Sequence, residues 1–197
     1  MSTIARRRAA LVSVVLIWAT TAHALATGDR DFAGMVRVGG HPQKDVVLWL
    51  EGVTPLPSAP RKVVMDQRNL TFSPHVLAVE VGTSVSMPNN DRVFHNVFSF
   101  RDGKRFDLGL YPVGRSKLVT FDKPGVSRIF CNIHPNMAAY VVAVNSAFFA
   151  VSEADGVFTM ASVPPGVYTY HAWRAGHDPA TGQIIVEPGR RAEVELR

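Results

Sequence analysis

After residue 30 no stretch of useful length carries apolar residues at the spacing of a helix face. They come instead in short runs rich in Val, Phe, Leu and Tyr, each bounded by Gly, Pro, Asn or Asp. β-Branched and aromatic side chains suit a pleated surface, and the bounding residues suit turns, so the pattern predicts many short strands. At 197 residues the chain can make one large domain or two small ones, each with a proper core. The expected fold is all-β, built of antiparallel sandwiches.

The N-terminus stands outside this pattern. Arg6, Arg7 and Arg8 precede an apolar run from Ala9 to Ala19, and Ala22-His23-Ala24 or Ala24-Leu25-Ala26 offers a small-residue cleavage site. A spanning helix needs about 20 apolar residues, and this run is shorter. Residues 1–26 are therefore read as a cleaved export signal, which places the mature chain in the periplasm with no membrane span; the paired arginines leave the export route open. Without those three arginines the formal charge falls from +5 to +2 for a chain starting at Thr27. No Lys/Arg-rich stripe remains, which excludes nucleic acid as a partner.

In the mature chain a first strand at Gly34 to Val38 is followed by a turn at Gly39 to Pro42 and a second strand at Val46 to Leu50. Pro55, Pro57 and Pro60 then mark a loop and a boundary. Seven strands are predicted from Lys62 to Val144: Lys62 to Met65, Val76 to Glu80, Ser84 to Met87, Asn96 to Phe100, Ser116 to Phe121, Val126 to Cys131 and Tyr140 to Val144. A second series of hairpins follows, with a hairpin turn at Ala154-Asp155-Gly156 and strands at Val157 to Met160, Val167 to Trp173, Gln183 to Val186 and Arg191 to Leu196. That last piece is thin for a domain of its own.

The chemistry concentrates at Cys131-Asn132-Ile133-His134-Pro135-Asn136-Met137. Cys131 is the only cysteine, and in an exported chain an unpaired cysteine is a free thiol, an intermolecular bridge or a metal ligand. Only the last role accounts for His134 and Met137 beside it. With His95 from an upstream loop, the set is two imidazoles, a thiolate and a thioether, the soft donors of a mononuclear electron-transfer copper site. His41, His75, His171 and His177 lack paired spacing and are assigned structural or surface roles.

Two resemblances sharpen these expectations. "MPNNDRVFHNVFSF" followed by "GVSRIFCNIHPNM" resembles the cupredoxins, the blue-copper β-sandwiches, over about 80 residues; the two-residue gaps in the Cys131 loop are most similar to those of amicyanin. The resemblance implies a Greek-key sandwich with His95, Cys131 and His134 as equatorial copper ligands and Met137 as the long axial one. It also implies that Asn96 ties the two ligand loops together. "GMVRVGGHPQKDVVLWLEG" and "VSEADGVFTMASVPPGVYTYHAW" are similar to the carboxypeptidase regulatory-like family, a small prealbumin-type sandwich whose pieces are here separated. Residues 31–60 with 146–197 are expected to form one discontinuous sandwich, with the cupredoxin unit 61–145 inserted; the alternative is an N-terminal extension packed on the 61–145 unit.

The expected function is a periplasmic type 1 copper protein that shuttles single electrons and has no turnover of its own. Its transient partner would be a c-type cytochrome, a dehydrogenase or a reductase, meeting the edge of His134 framed by Pro135, Asn136 and Ala138. The alternative is copper delivery without electron transfer. A single cysteine excludes a binuclear bridged site, and zinc prefers a tetrahedral donor set without methionine. No phosphate loop, HExxH helix or plausible serine triad is present.

Overall fold

The computed structural model describes residues 31–52 and 62–197. The export segment and the proline-rich loop read from the sequence lie outside these residues. Among the described residues no helix is long and apolar enough to cross a membrane. All the regular structure is strand: β1 (Phe32–Val38), β2 (His41–Pro42), β3 (Val47–Leu50), β4 (Val63–Val64), β5 (Asp66–Arg68), β6 (Thr71–Ser73), β7 (Val76–Glu80), β8 (Thr83–Pro88) and β9 (His95–Ser99). There follow β10 (Phe106–Tyr111), β11 (Ser116–Phe121), β12 (Gly125–Phe130), β13 (Ala138–Val144), β14 (Phe149–Val151), β15 (Val157–Met160), β16 (Gly166–Trp173), β17 (Ala180–Val186) and β18 (Ala192–Leu196).

Two sheets share strands from both ends of the chain. One runs β14-β3-β16-β17 and the other β15-β1-β18, with β2 added on β1. Their inner faces meet in a core that includes Val36, Leu48, Leu50, Phe158, Ile184 and Val194. Gly34 lies where no side chain fits: a Cβ there would stand 2.5 Å from the Phe158 ring and 2.7 Å from the Ala192 carbonyl. The chain leaves this body at the end of β3 and returns at the start of β14, and those strands are antiparallel partners with Trp49 opposite Phe149. Leu50 N–H donates to Phe148 O at 2.9 Å and the Ser146 hydroxyl to Leu50 O at 2.7 Å, so the points of exit and return are bonded together.

The intervening residues form two larger sheets, β10-β9-β12-β13-β7 and β11-β8-β4, and the two-stranded sheet β5-β6, around a second core. That core holds Met65, Met87, Phe121, Ile129, Cys131 and Met137. In β12 the alternation is plain: Ser127 and Ile129 point in, Arg128 points out, and Cys131 comes next on the inner side.

A third apolar layer joins the two bodies. Val47 and Trp173 from the first pack with Val76, Val142 and Val144 from the second. This explains two unbroken apolar runs. β3 is Val-Leu-Trp-Leu because Leu48 and Leu50 face its own core while Val47 and Trp49 face the neighbour. β13 reads Ala-Ala-Tyr-Val-Val-Ala-Val for the same reason, buried on both faces.

Most ladders are antiparallel, but β1 with β18, β13 with β7 and β4 with β8 pair in parallel, each joining strands that are not neighbours in sequence. The turn at Ala154-Asp155-Gly156 is present, closed by Gly156 N–H on Glu153 O at 2.9 Å. It does not make the expected hairpin: β14 pairs with β3 and β15 with β1, so the turn carries the chain from one sheet to the other. Five strands went unread in the sequence: β2, which was read as part of a turn, the two strands of the β5–β6 hairpin, β10 and β14.

Candidate metal centre

His95, Cys131 and His134 converge, and they are the one such group of possible ligands among the described residues. β12 and β13 close on each other with Phe130 opposite Ala138, so residues 131–137 form the loop at their end. Met137 N–H donates to His134 O at 2.9 Å and Cys131 N–H to Met137 O at 3.3 Å, which curls the loop and turns the thiol inward. His95 opens β9 in the adjacent strand and arrives beside the loop. His95, Cys131 and Met137 are 0, 3 and 1% exposed, whereas His134 is only half-buried, with exposed Ile133, Pro135 and Asn136 around it.

The donor atoms form a small triangle. His95 Nδ1 is 3.0 Å from His134 Nδ1 and 3.8 Å from Cys131 Sγ, and Cys131 Sγ is 3.5 Å from His134 Nδ1. A point equidistant from three atoms so placed lies about 2.0 Å from each, close to the length of metal–imidazole and metal–thiolate bonds.

One partner of this triangle was not recognised from the sequence. Asp91 Oδ2 accepts from His95 Nε2 at 3.0 Å and from Leu70 N–H at 2.7 Å, while Asp91 Oδ1 accepts from Arg92 N–H at 2.8 Å. These donors, the Leu70 N–H foremost, hold the Asp91 carboxyl below its ordinary range despite the opposing effect of burial. An ionised Asp91 fixes the proton of His95 on Nε2 and leaves Nδ1 with its lone pair aimed into the triangle. His134 Nδ1 lies 3.0 Å from it, close enough for one ring to hydrogen-bond the other or for both nitrogens to face one metal ion beside the Cys131 sulfur. The residues present therefore fit a thiophilic metal ion.

The support extends outward. Asn89, fully buried, accepts from Asp91 N–H at 3.0 Å and donates to Val93 O at 2.8 Å and Tyr111 O at 3.1 Å, so it shapes the loop that carries Asp91. Leu70 reaches Asp91 from the tip of the β5–β6 hairpin, whose two-residue turn places Asn69 and Leu70 at φ of 51° and 57°. Below, Gln67 donates to Tyr111 Oη at 2.6 Å and to Pro88 O at 2.9 Å, and Tyr111 O–H donates to Met87 O at 2.9 Å. Burial pushes the Tyr111 phenol up to about 12.

Asn96 stands next to His95 in β9. Its Nδ2 donates to Asp107 Oδ1 at 2.9 Å across to β10, at a bulge where Gly109 has φ of 65° and donates its N–H to the same oxygen at 2.8 Å. Asn96 Oδ1 is buried without a hydrogen-bond partner. Among the other histidines, His75 bonds Asp45 at 3.0 Å, and His171 stacks on Trp49 with centroids 5.1 Å apart and bonds Glu51 at 3.2 Å. His41 and His177 are exposed.

No protein-family profile matches this chain, and no curated protein sequence matches it. Solved structures of copper proteins are similar to it over part of its length. A purple cupredoxin from Nitrosopumilus maritimus shares 25% identity, with 42% of this chain and 100% of that one covered at a TM-score of 0.39. The copper-containing nitrite reductase NirK from Thermus scotoductus SA-01 shares 24% identity over 48% of this chain and 25% of its own, at a TM-score of 0.41. A reduced Cu(I) form of an amicyanin mutant shares 21% identity over 49% of this chain and 98% of its own, at a TM-score of 0.40.

Proposed function

We propose that this chain binds one copper ion through His95, Cys131 and His134, with Met137 as a weak fourth donor, and carries single electrons between protein partners without catalytic turnover. The observation that carries this reading is the donor triangle, with sides of 3.0, 3.5 and 3.8 Å, built of two imidazoles and a thiol. Copper held by such a set supplies a one-electron couple between Cu(II) and Cu(I).

The chain's own residues do the rest. Asp91 keeps one tautomer and one orientation of His95. The bonded loop from Cys131 to Met137 holds the remaining donors, and a rigid cage keeps rearrangement small between two charge states. The unpartnered Oδ1 of Asn96 is the acceptor that a tie to the ligand loop would use. Burial of His95, Cys131 and Met137 puts them beyond the reach of a client that would take the metal away, which supports electron carriage over copper delivery.

The half-buried edge of His134, framed by Ile133, Pro135 and Asn136, is the proposed point of approach for a transient c-type cytochrome, dehydrogenase or reductase; such contacts are small. Residues 1–26 are proposed to direct the chain to the periplasm. The test is to load the chain with Cu(II) and record visible and EPR spectra. An intense thiolate-to-copper band with narrow copper hyperfine splitting, lost in Cys131→Ser, is expected; a colourless protein with ordinary copper parameters overturns the proposal.

A further inference from the structure

The outer face of the β10-β9-β12-β13-β7 sheet carries three phenylalanines in a continuous stack. Phe98 and Phe130 are register partners across β9 and β12, with ring centroids 5.8 Å apart. Phe100 lies 5.9 Å from Phe98 and 5.6 Å from Phe130, at interplanar angles of 21° and 28°. A guanidinium caps each end: Arg101 stands 5.7 Å from the Phe100 centroid, and Arg128 stands 4.8 Å from Phe130 and 5.9 Å from Tyr140. Tyr140 marks the limit of the covered half of this face, because Trp173 of the first body packs on it at 5.2 Å. Beyond it the stack meets water, and Phe100 is 51% exposed.

Neither structural need nor internal pairing explains this arrangement. A sheet face at water ordinarily carries polar side chains, and apolar groups clustered among charges mark an interaction site. Arg101 and Arg128 form no ion pair with any carboxylate among the described residues, although Arg68, Lys104 and Arg190 do. We propose that this face docks a protein partner whose contact surface carries carboxylates around an apolar centre.

Charge complementarity selects that occupant. A guanidinium lying on a ring has already given up water on one side, keeps its N–H fork free at the edge, and so pairs with a carboxylate at little further cost. An anionic bilayer calls for clusters of about four to eight basic residues, and two arginines fall short of that. A second copy of this chain, paired about a two-fold axis on the stack, would set the arginines against their own equivalents.

The surface stands on its own chemistry, apart from the copper proposal. If both hold, it offers a second point of approach to the metal, because Phe130 is peptide-bonded to Cys131 while its ring faces the opposite side of the strand.

The test uses the isotope-labelled chain, both metal-free and copper-loaded, titrated with a small c-type cytochrome whose lysines are succinylated and with the same cytochrome unmodified. Amide shifts concentrated at Phe98, Phe100, Arg101, Arg128 and Phe130, seen with the acidic form alone and fading with added salt, are expected. Arg101→Glu combined with Arg128→Glu should weaken the binding at least tenfold. Shifts confined to the surroundings of His134, equal binding of the unmodified cytochrome, or undiminished binding by the double variant each overturn the proposal. So does binding to phosphatidylglycerol vesicles without a response to the acidic cytochrome, or a dimer in sedimentation that Phe100→Ser abolishes. A chain that fails to bind copper yet gives the expected shift map leaves the docking surface standing and sinks the copper proposal alone.

Discussion

Asp91 Oδ2 sits 3.0 Å from His95 Nε2 and shares that oxygen with Leu70 N–H from a separate hairpin. The orientation of the His95 ring is thus set by a carboxylate four residues before it and by a turn some twenty residues before that carboxylate. Asp91→Ala should lower copper affinity about 10- to 100-fold, the usual cost of removing a histidine's outer partner, as read by competition with a chelator. Asp91→Asn, which keeps an acceptor, should lose less; equal affinity in all three proteins would leave Asp91 no part in aiming His95.

Tyr111 makes the stability of the second body sensitive to alkali. Its phenol is pushed up to about 12 by burial, partly opposed by the hydrogen bond from Gln67, so the fold favours the protonated form. A group raised in the folded state adds stability below its unfolded pKa and loses that contribution as pH rises, here between about 10 and 12. Two units correspond to about 2–3 kcal/mol. Tyr111→Phe should be less stable than the parent near neutrality, by about 1 kcal/mol for the lost hydrogen bond, and the gap should close and then reverse as pH climbs. Urea denaturation at stepped pH checks this, and a constant gap would refute it.

Gly34→Ala tests the packing of the first body. The new methyl would meet the Ala192 carbonyl at 2.7 Å, and backbone yields less readily than a side chain. A loss of about 1–3 kcal/mol, seen in denaturant unfolding, is expected. The visible spectrum of the copper-loaded protein should stay as it was, because Gly34 belongs to the other core.

The bonded exit and return at Leu50 and Phe148 lead to a deletion experiment. Replacing residues 53–145 by a two-residue Asn-Gly turn should leave a folded sandwich, since β3 and β14 are already hairpin partners. Trp173 would lose its cover from Val76, Val142 and Val144, so its fluorescence should shift to the red relative to the whole chain. An unfolded remainder in circular dichroism would rule out the discontinuous sandwich proposed for residues 31–60 and 146–197.

What could be read from the residues follows the physics of each element. β8, β11 and β12 were legible because one face is buried and the other wet, which writes a period of two into the sequence. The convergence of His95, Cys131 and His134 was legible because soft donors at such spacing have few other uses. The β5–β6 hairpin was not: its strands are largely polar, its one fully buried polar side chain is Gln67, and its turn puts a leucine at positive φ where Asn-Gly would have been the signal. β10 is interrupted by its bulge at Gly109, and β14 has only three residues. Asp91 was not legible either, because its bond to His95 depends on how the loop folds around buried Asn89.

The way the second body hangs from the first has a mechanical consequence. β1 and β18 are parallel neighbours, from Gly34 opposite Ala192 to Val38 opposite Leu196. Tension between the start of β1 and the end of β18 loads that ladder in shear, with its hydrogen bonds sharing the force, and none of it passes through β4 to β13. A chain held by one terminus and tugged by the other keeps the loop from Cys131 to Met137 slack.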